Sequence, residues 1–148
     1  MSDNIVTTLS RAAFLTRPSS DENRQAMKKA LGKITSYNWK GDPYTDSYSR
    51  KWIGSWGKIS DIGMAVSPDV EKAFRAQGIK PKDRVEIELA DGTKYERIWD
   101  NRTMQDAQAI RKFGKPLTGR FDLHHPYGNK PHEKDGVAVV NFRKAGDS

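Results

Sequence analysis

Arg84-Val85-Glu86-Ile87-Glu88-Leu89, then Ala90-Asp91-Gly92-Thr93, then Lys94-Tyr95-Glu96-Arg97-Ile98-Trp99-Asp100 is the stretch that decides the fold. Its first six residues alternate polar and apolar with the period of two that gives a strand one apolar face. Asp91-Gly92 supplies a tight turn, so the segment predicts a β-hairpin. Working outward, turn residues bound further short strands at 33–37, 63–66, 120–123 and 137–142. Two helices interrupt them. Ser67-Pro68-Asp69-Val70-Glu71 combines a cap, a proline at the first helical position and early acids, and its helix stops at Gly78. Thr103-Met104-Gln105-Asp106 begins another that ends near Phe113-Gly114. Short strands with small covering helices suit a mainly β, six-stranded barrel better than a sandwich, because a barrel closes its edges without long strands.

Residues 1–33 lack the strand pattern. Pro18-Ser19-Ser20-Asp21 and Glu22 read as a helix start, capped by Ser20 or Asp21 and running through Met27 and Leu31 to a stop at Gly32. The expected organisation is an N-terminal helical arm, 1–33, packed on a β-barrel domain, 34–148.

The 148 residues hold 26 Lys and Arg against 19 Asp and Glu, a net charge of +7, and no cysteine. Disulfide scaffolds, thiol catalysis and thiolate metal sites are thereby excluded. No apolar run approaches the roughly 20 residues of a membrane span, and the opening MSDNIVTTLSRAAF is too polar for a signal peptide. Up to Ser60 there are ten basic and five acidic residues, so most of the excess lies in that part. Such an excess suits nucleic acid, a membrane surface or an anionic polymer such as a bacterial cell wall. The absence of helix-turn-helix, zinc-finger and aromatic-basic RNA patterns argues against nucleic acid.

The order of the segments resembles a known group. Ile34-Thr35-Ser36-Tyr37, Gly63-Met64-Ala65-Val66-Ser67-Pro68, Lys82-Asp83-Arg84-Val85-Glu86-Ile87, Asp91-Gly92, Trp99-Asp100 and Gly119-Arg120-Phe121-Asp122-Leu123 follow the succession of the three-aspartate (3D) domain and of the catalytic domain of membrane-bound lytic transglycosylase A. The resemblance spans roughly 34–142 and implies a six-stranded double-psi β-barrel. It also implies an activity, cleavage of peptidoglycan to 1,6-anhydro-muramoyl products. Asp122 falls in the family's Arg-x-Asp signature, which implies the catalytic acid/base, and Asp100 falls where the family has a second aspartate, which implies a supporting catalytic carboxylate that orients Asp122, stabilises positive charge or binds a sugar hydroxyl. The third family aspartate is replaced by Ser67, with Asp69 two residues on.

Glycosidic cleavage needs an acid to protonate the leaving oxygen and negative charge to stabilise an oxocarbenium-like centre. Between Phe121 and Leu123 in a strand, Asp122 points away from both; a partly desolvated cleft there would raise its pKa. Pairing with Arg120 is the plainer alternative for Asp122, and a turn or cap role for Asp100. His124, His125 and His132 are the histidine set. Neighbours on a strand diverge, so no metal site is expected, and His124 or His125 is assigned to substrate contact with Arg120. Tyr37, Trp39, Tyr44, Tyr48, Trp52 and Trp56 crowd one glycine-bearing segment and suit stacking on sugar rings, with Asn38 and Asp42 as polar neighbours; several could equally be core. Trp39, Tyr44, Trp52 and Trp99 are the aromatic candidates for substrate.

No cofactor is expected. The expected partner is the peptidoglycan glycan strand, and the sequence identifies no inhibitor protein. The competing reading is a non-catalytic, expansin-like glycan-binding barrel. Action in the periplasm or cell wall without a visible signal would suit a secreted effector, a phage-type lysin or a chain trimmed of its export signal.

Overall fold

A computed structural model describes residues 29–146. The elements are β1 (Gly32–Tyr37), α1 (Ser47–Arg50), β2 (Ile53–Gly54), β3 (Gly57–Lys58), β4 (Gly63–Val66), α2 (Pro68–Ala76), β5 (Arg84–Leu89), β6 (Lys94–Arg102), α3 (Asp106–Phe113), β7 (Arg120–His124) and β8 (Ala138–Lys144). The protein is mainly β, built on a six-stranded mixed sheet with few helices. Pairing runs β1-β7-β4-β6-β5-β8 and returns from β8 to β1. The β1/β7 and β4/β6 pairs are parallel.

The expected hairpin is β5 and β6, paired from Arg84 opposite Ile98 to Glu88 opposite Lys94. Its apolar set, Val85, Ile87 and Leu89, is fully buried with Ile34, Met64, Val66, Trp99, Phe121 and Leu123 inside the sheet. Helix α2 adds Val70 and Phe74 to this core, and the Phe74 ring meets Trp99, Phe121 and Phe142 at 4.8–6.1 Å. On the other face of the hairpin, Glu96 pairs with Arg84 and Glu86 with Arg143.

The expected arm falls mostly on residues 1–28, outside the described residues. Where they begin, Lys29, Ala30 and Leu31 are not helical, and Gly32 opens β1 instead of ending a helix. A Cβ on Gly32 would lie 2.3 Å from the Gly119 carbonyl oxygen, so the glycine there serves the close crossing of β1 and β7. Among the described residues, no helix is long and apolar enough to cross a membrane.

The decisive feature for the site is the connection 38–62, which carries α1 and the small β2/β3 hairpin. It folds over the outer face of β1, β7 and β4, where Ile59 packs with Tyr37 and Ala65 in a second, smaller apolar cluster.

Candidate functional site

The site grows from a single row of the sheet. Thr35 on β1 faces Asp122 on β7, Asp122 faces Ala65 on β4, and Ala65 faces Asn101 on β6. Because Phe121 and Leu123 point into the core, Asp122 points outward, as strand alternation demands. A register shift between Met64 and Ala65 pairs Met64 with Trp99 but Ala65 with Asn101, leaving Asp100 as the extra residue of a bulge. Bulges re-aim side chains. Here the bulge presents Asp100 and Asn101 together to the 38–62 connection.

Asp100 is almost completely buried. Its carboxylate accepts the Ser60 amide at 2.7 Å, and a Cβ on Gly63 would stand 2.6 Å from it, which only glycine avoids. Burial raises the Asp100 carboxyl above its ordinary range, against the backbone bond from Ser60 and the charge of Lys82. Asn101 accepts the Ser55 amide at 3.0 Å and so holds the β2/β3 turn. His124 is the third fastening. Its Nδ1 donates to the Ser60 carbonyl at 2.8 Å, which leaves Nε2 to accept from Asn38 Nδ2 at 2.9 Å. Tyr37 and Trp52 pack on its ring at 5.1 and 4.6 Å. Burial holds this imidazole below its usual pKa and so neutral. Asn38 and Trp52 themselves adopt left-handed backbone, φ 68° and 62°, a strain the contacts to His124 help to hold.

Asp122 is left freer. It is half-buried, and among the described residues its one hydrogen bond is from Thr35 Oγ1 at 2.8 Å. Burial pushes its carboxyl from an ordinary 3.8 to about 7; the charges of Asp42 and Asp135 act the same way, while Thr35 and Arg120 oppose. The Tyr37 phenol is raised above its ordinary value by burial first, and by the charges of both Asp122 and Asp100. Both aspartates therefore act on one buried hydroxyl.

An open cleft of about 510 Å³ lies beside this cluster, lined by Trp52, Tyr127, Lys58, Lys82, Ile98 and Asp100 among others. Asp122 is not among its lining residues. Trp52 and Tyr127, both in its lining, meet edge-on at 6.1 Å. Trp39 is half-buried, whereas Tyr44 is exposed beside Lys112 of α3.

Several expected assignments change. Trp99 is fully buried in the core with its Nε1 donating to the Asn101 carbonyl, so it cannot stack on a substrate. His124 is committed on both ring nitrogens to holding the loop. His125 faces away from Asp122 and stands 5.5 Å from His132. Arg120 shares the outer face with Asp122 and forms no ion pair with it; its buried Nε has no partner among the described residues. Asp42 is buried and serves its own loop, accepting the amides of Asn38 and Tyr44 and the hydroxyl of Thr45, so it is not free to meet sugar hydroxyls. Ser67 and Asp69 hold the start of β7: Asp69 accepts the Gly119 amide at 2.9 Å and Ser67 Oγ the Arg120 amide at 2.9 Å. Tyr127 was not anticipated, because it lies outside the aromatic-rich segment.

No protein-family model matches the chain, and no curated protein sequence matches it.

Proposed function

We infer that the chain is a double-psi β-barrel that cleaves peptidoglycan glycan strands as a lytic transglycosylase, in the periplasm or cell wall, with Asp122 as acid and base. The strand order supports the barrel assignment. Exchanging β1, β4 and β5 for β6, β7 and β8 turns the ring β1-β7-β4-β6-β5-β8 into itself and swaps its two parallel pairs. Two interlocked ψ-motifs generate this pseudo-two-fold.

The observation that carries the activity is Asp122 itself, a half-buried carboxyl with one hydrogen bond that burial lets hold a proton near neutral pH. Protonated Asp122 gives its proton to the glycosidic oxygen as the C1–O bond breaks. The carboxylate then takes the proton of the muramoyl 6-hydroxyl while that oxygen bonds to C1, closing the 1,6-anhydro ring and restoring the acid. No water is consumed. Asp100, fixed on Ser60, is suited to shaping the wall of the neighbouring cleft, and Trp52 and Tyr127 there to the apolar faces of sugar rings flanking the one that Asp122 acts on.

The expansin-like reading, glycan binding without cleavage, is favoured by the commitment of Asp100 and Asp69 to backbone amides. Incubation with purified peptidoglycan separates the two. Anhydro-muropeptides detected by mass spectrometry support cleavage, and their loss by at least the 10²- to 10⁴-fold typical of general acid–base catalysis is expected in folded Asp122→Asn. Co-sedimentation with peptidoglycan and no products would favour binding alone.

A further inference from the structure

The inner side of the sheet carries a second polar cluster. Val85 and Ile87 are core residues, and directly across β5 and β6 from them lie Arg97 and Tyr95, which share that face. The loop 125–137 lays two histidines against them. Arg97 Cζ stands 5.1 Å from the Tyr95 ring centroid, the Tyr95 ring 5.3 Å from His132, and His132 5.5 Å from His125.

The hydrogen bonds in this cluster leave donors without acceptors. The Lys134 amide donates to His132 Nδ1 at 3.1 Å, so in the neutral ring the proton sits on Nε2, which makes no hydrogen bond to a described residue. Arg84, Arg102, Arg75 and Arg143 all pair with glutamates. Arg97 is half-buried, pairs with no carboxylate among the described residues, and has a buried Nε without a partner. A partly desolvated guanidinium with an unpartnered Nε, one tyrosine ring away from an imidazole whose Nε2–H meets no described acceptor, calls for an anion.

We propose that Arg97, His132 and His125 form an oxyanion-binding site, separate from Asp122, that takes a carboxylate or phosphate group of a ligand. Arg97 supplies the charge and the fork that fits two oxygens, and His132 Nε2–H a further donor. The Tyr95 ring packs against both. Burial, Arg97 and His125 hold His132 below its ordinary pKa, against the charges of Glu133 and Asp135 on its own loop; Asp61, ahead of β4, acts on Arg97. A bound anion offsets the repulsion between Arg97 and the imidazolium, so His132 should take up a proton more readily when the site is filled.

The test uses the full chain, with sodium acetate and sodium phosphate titrated separately against chloride at constant ionic strength and the histidine rings followed by NMR. Saturable shifts of His132 and an upward move of its pKa are expected with one or both probes. Tighter saturation by acetate identifies a carboxylate ligand, and by phosphate a phosphoryl one. Arg97→Gln should weaken saturation at least about tenfold, the loss expected for one charge-assisted contact, while Arg111→Gln, which removes the same charge from α3, should leave it unchanged. If Arg97→Gln fails to fold, Arg97→Lys and His132→Gln should each still weaken it. Non-saturating shifts matched by chloride, or equal binding by the Arg97 and Arg111 variants, would overturn the proposal.

Discussion

The two faces of the sheet are built by different means. Inside, Ile34, Val85, Ile87, Trp99, Phe121 and Leu123 are apolar, fully buried and aligned by strand alternation. Outside, beneath the 38–62 connection, the apolar part shrinks to Tyr37, Ile59 and Ala65, and buried polar groups do the fastening: Asp100 on Ser60, Asn101 on Ser55, His124 on Ser60 and Asn38. The apolar part of the inner face offers no group that could react, whereas a polar-fastened face can hold one carboxyl partly desolvated without pairing it. Asp122 and Asp100 divide these roles: Asp100 is spent on a backbone amide, and Asp122 keeps a single bond from a hydroxyl.

The largest expected effect lies inside. Trp99→Ala removes a ring packed on Phe74 and Trp56 and should cost about 3–5 kcal/mol in chemical denaturation, leaving little folded protein. His124→Ala, outside, removes two hydrogen bonds and two ring contacts and should cost about 2–3 kcal/mol. It should also free the 38–62 amides to exchange with solvent before those of β5 do, which hydrogen exchange would record. Equal and simultaneous exchange of both regions would break the comparison.

Asp122→Asn goes the other way. Since the folded chain holds the Asp122 proton up to about pH 7 and the unfolded chain releases it near 3.8, stability should fall as pH rises between those values and stay level above. Removing the charge should therefore stabilise the protein at pH 8 by about 1–3 kcal/mol, allowing for partial exposure, and the gain should vanish below pH 4. A variant less stable than its parent at pH 8 would mean that Asp122 is paired instead. The smallest effect belongs to the surface: Arg84→Gln breaks an exposed pair with Glu96 and should change stability by under about 1 kcal/mol.

Much of the inner face was legible in the sequence: period two marks Arg84–Leu89, bounding turn residues mark Gly63–Val66, and both strands form over the residues predicted. The outward direction of Asp122 was legible from strand alternation. Helix α1 and the β2/β3 hairpin were not, since strands of two residues have no period and the turn is held by Asn101, 46 residues away. Ile98-Trp99 is apolar twice in succession, so alternation cannot say which residue turns inward; pairing of Trp99 with Met64 decides it. The commitment of His124 depends on Ser60 and Asn38, both distant in sequence and neither part of any pattern.

The most direct measurement is the titration of the Asp122 carboxyl, followed by carbon NMR of its Cγ in the folded chain and assigned by its absence in Asp122→Asn. A midpoint near pH 7 is predicted, together with decline of peptidoglycan cleavage above that pH as the acid form is lost. A midpoint near 4 would contradict the account, because Asp122 would then hold no proton to give.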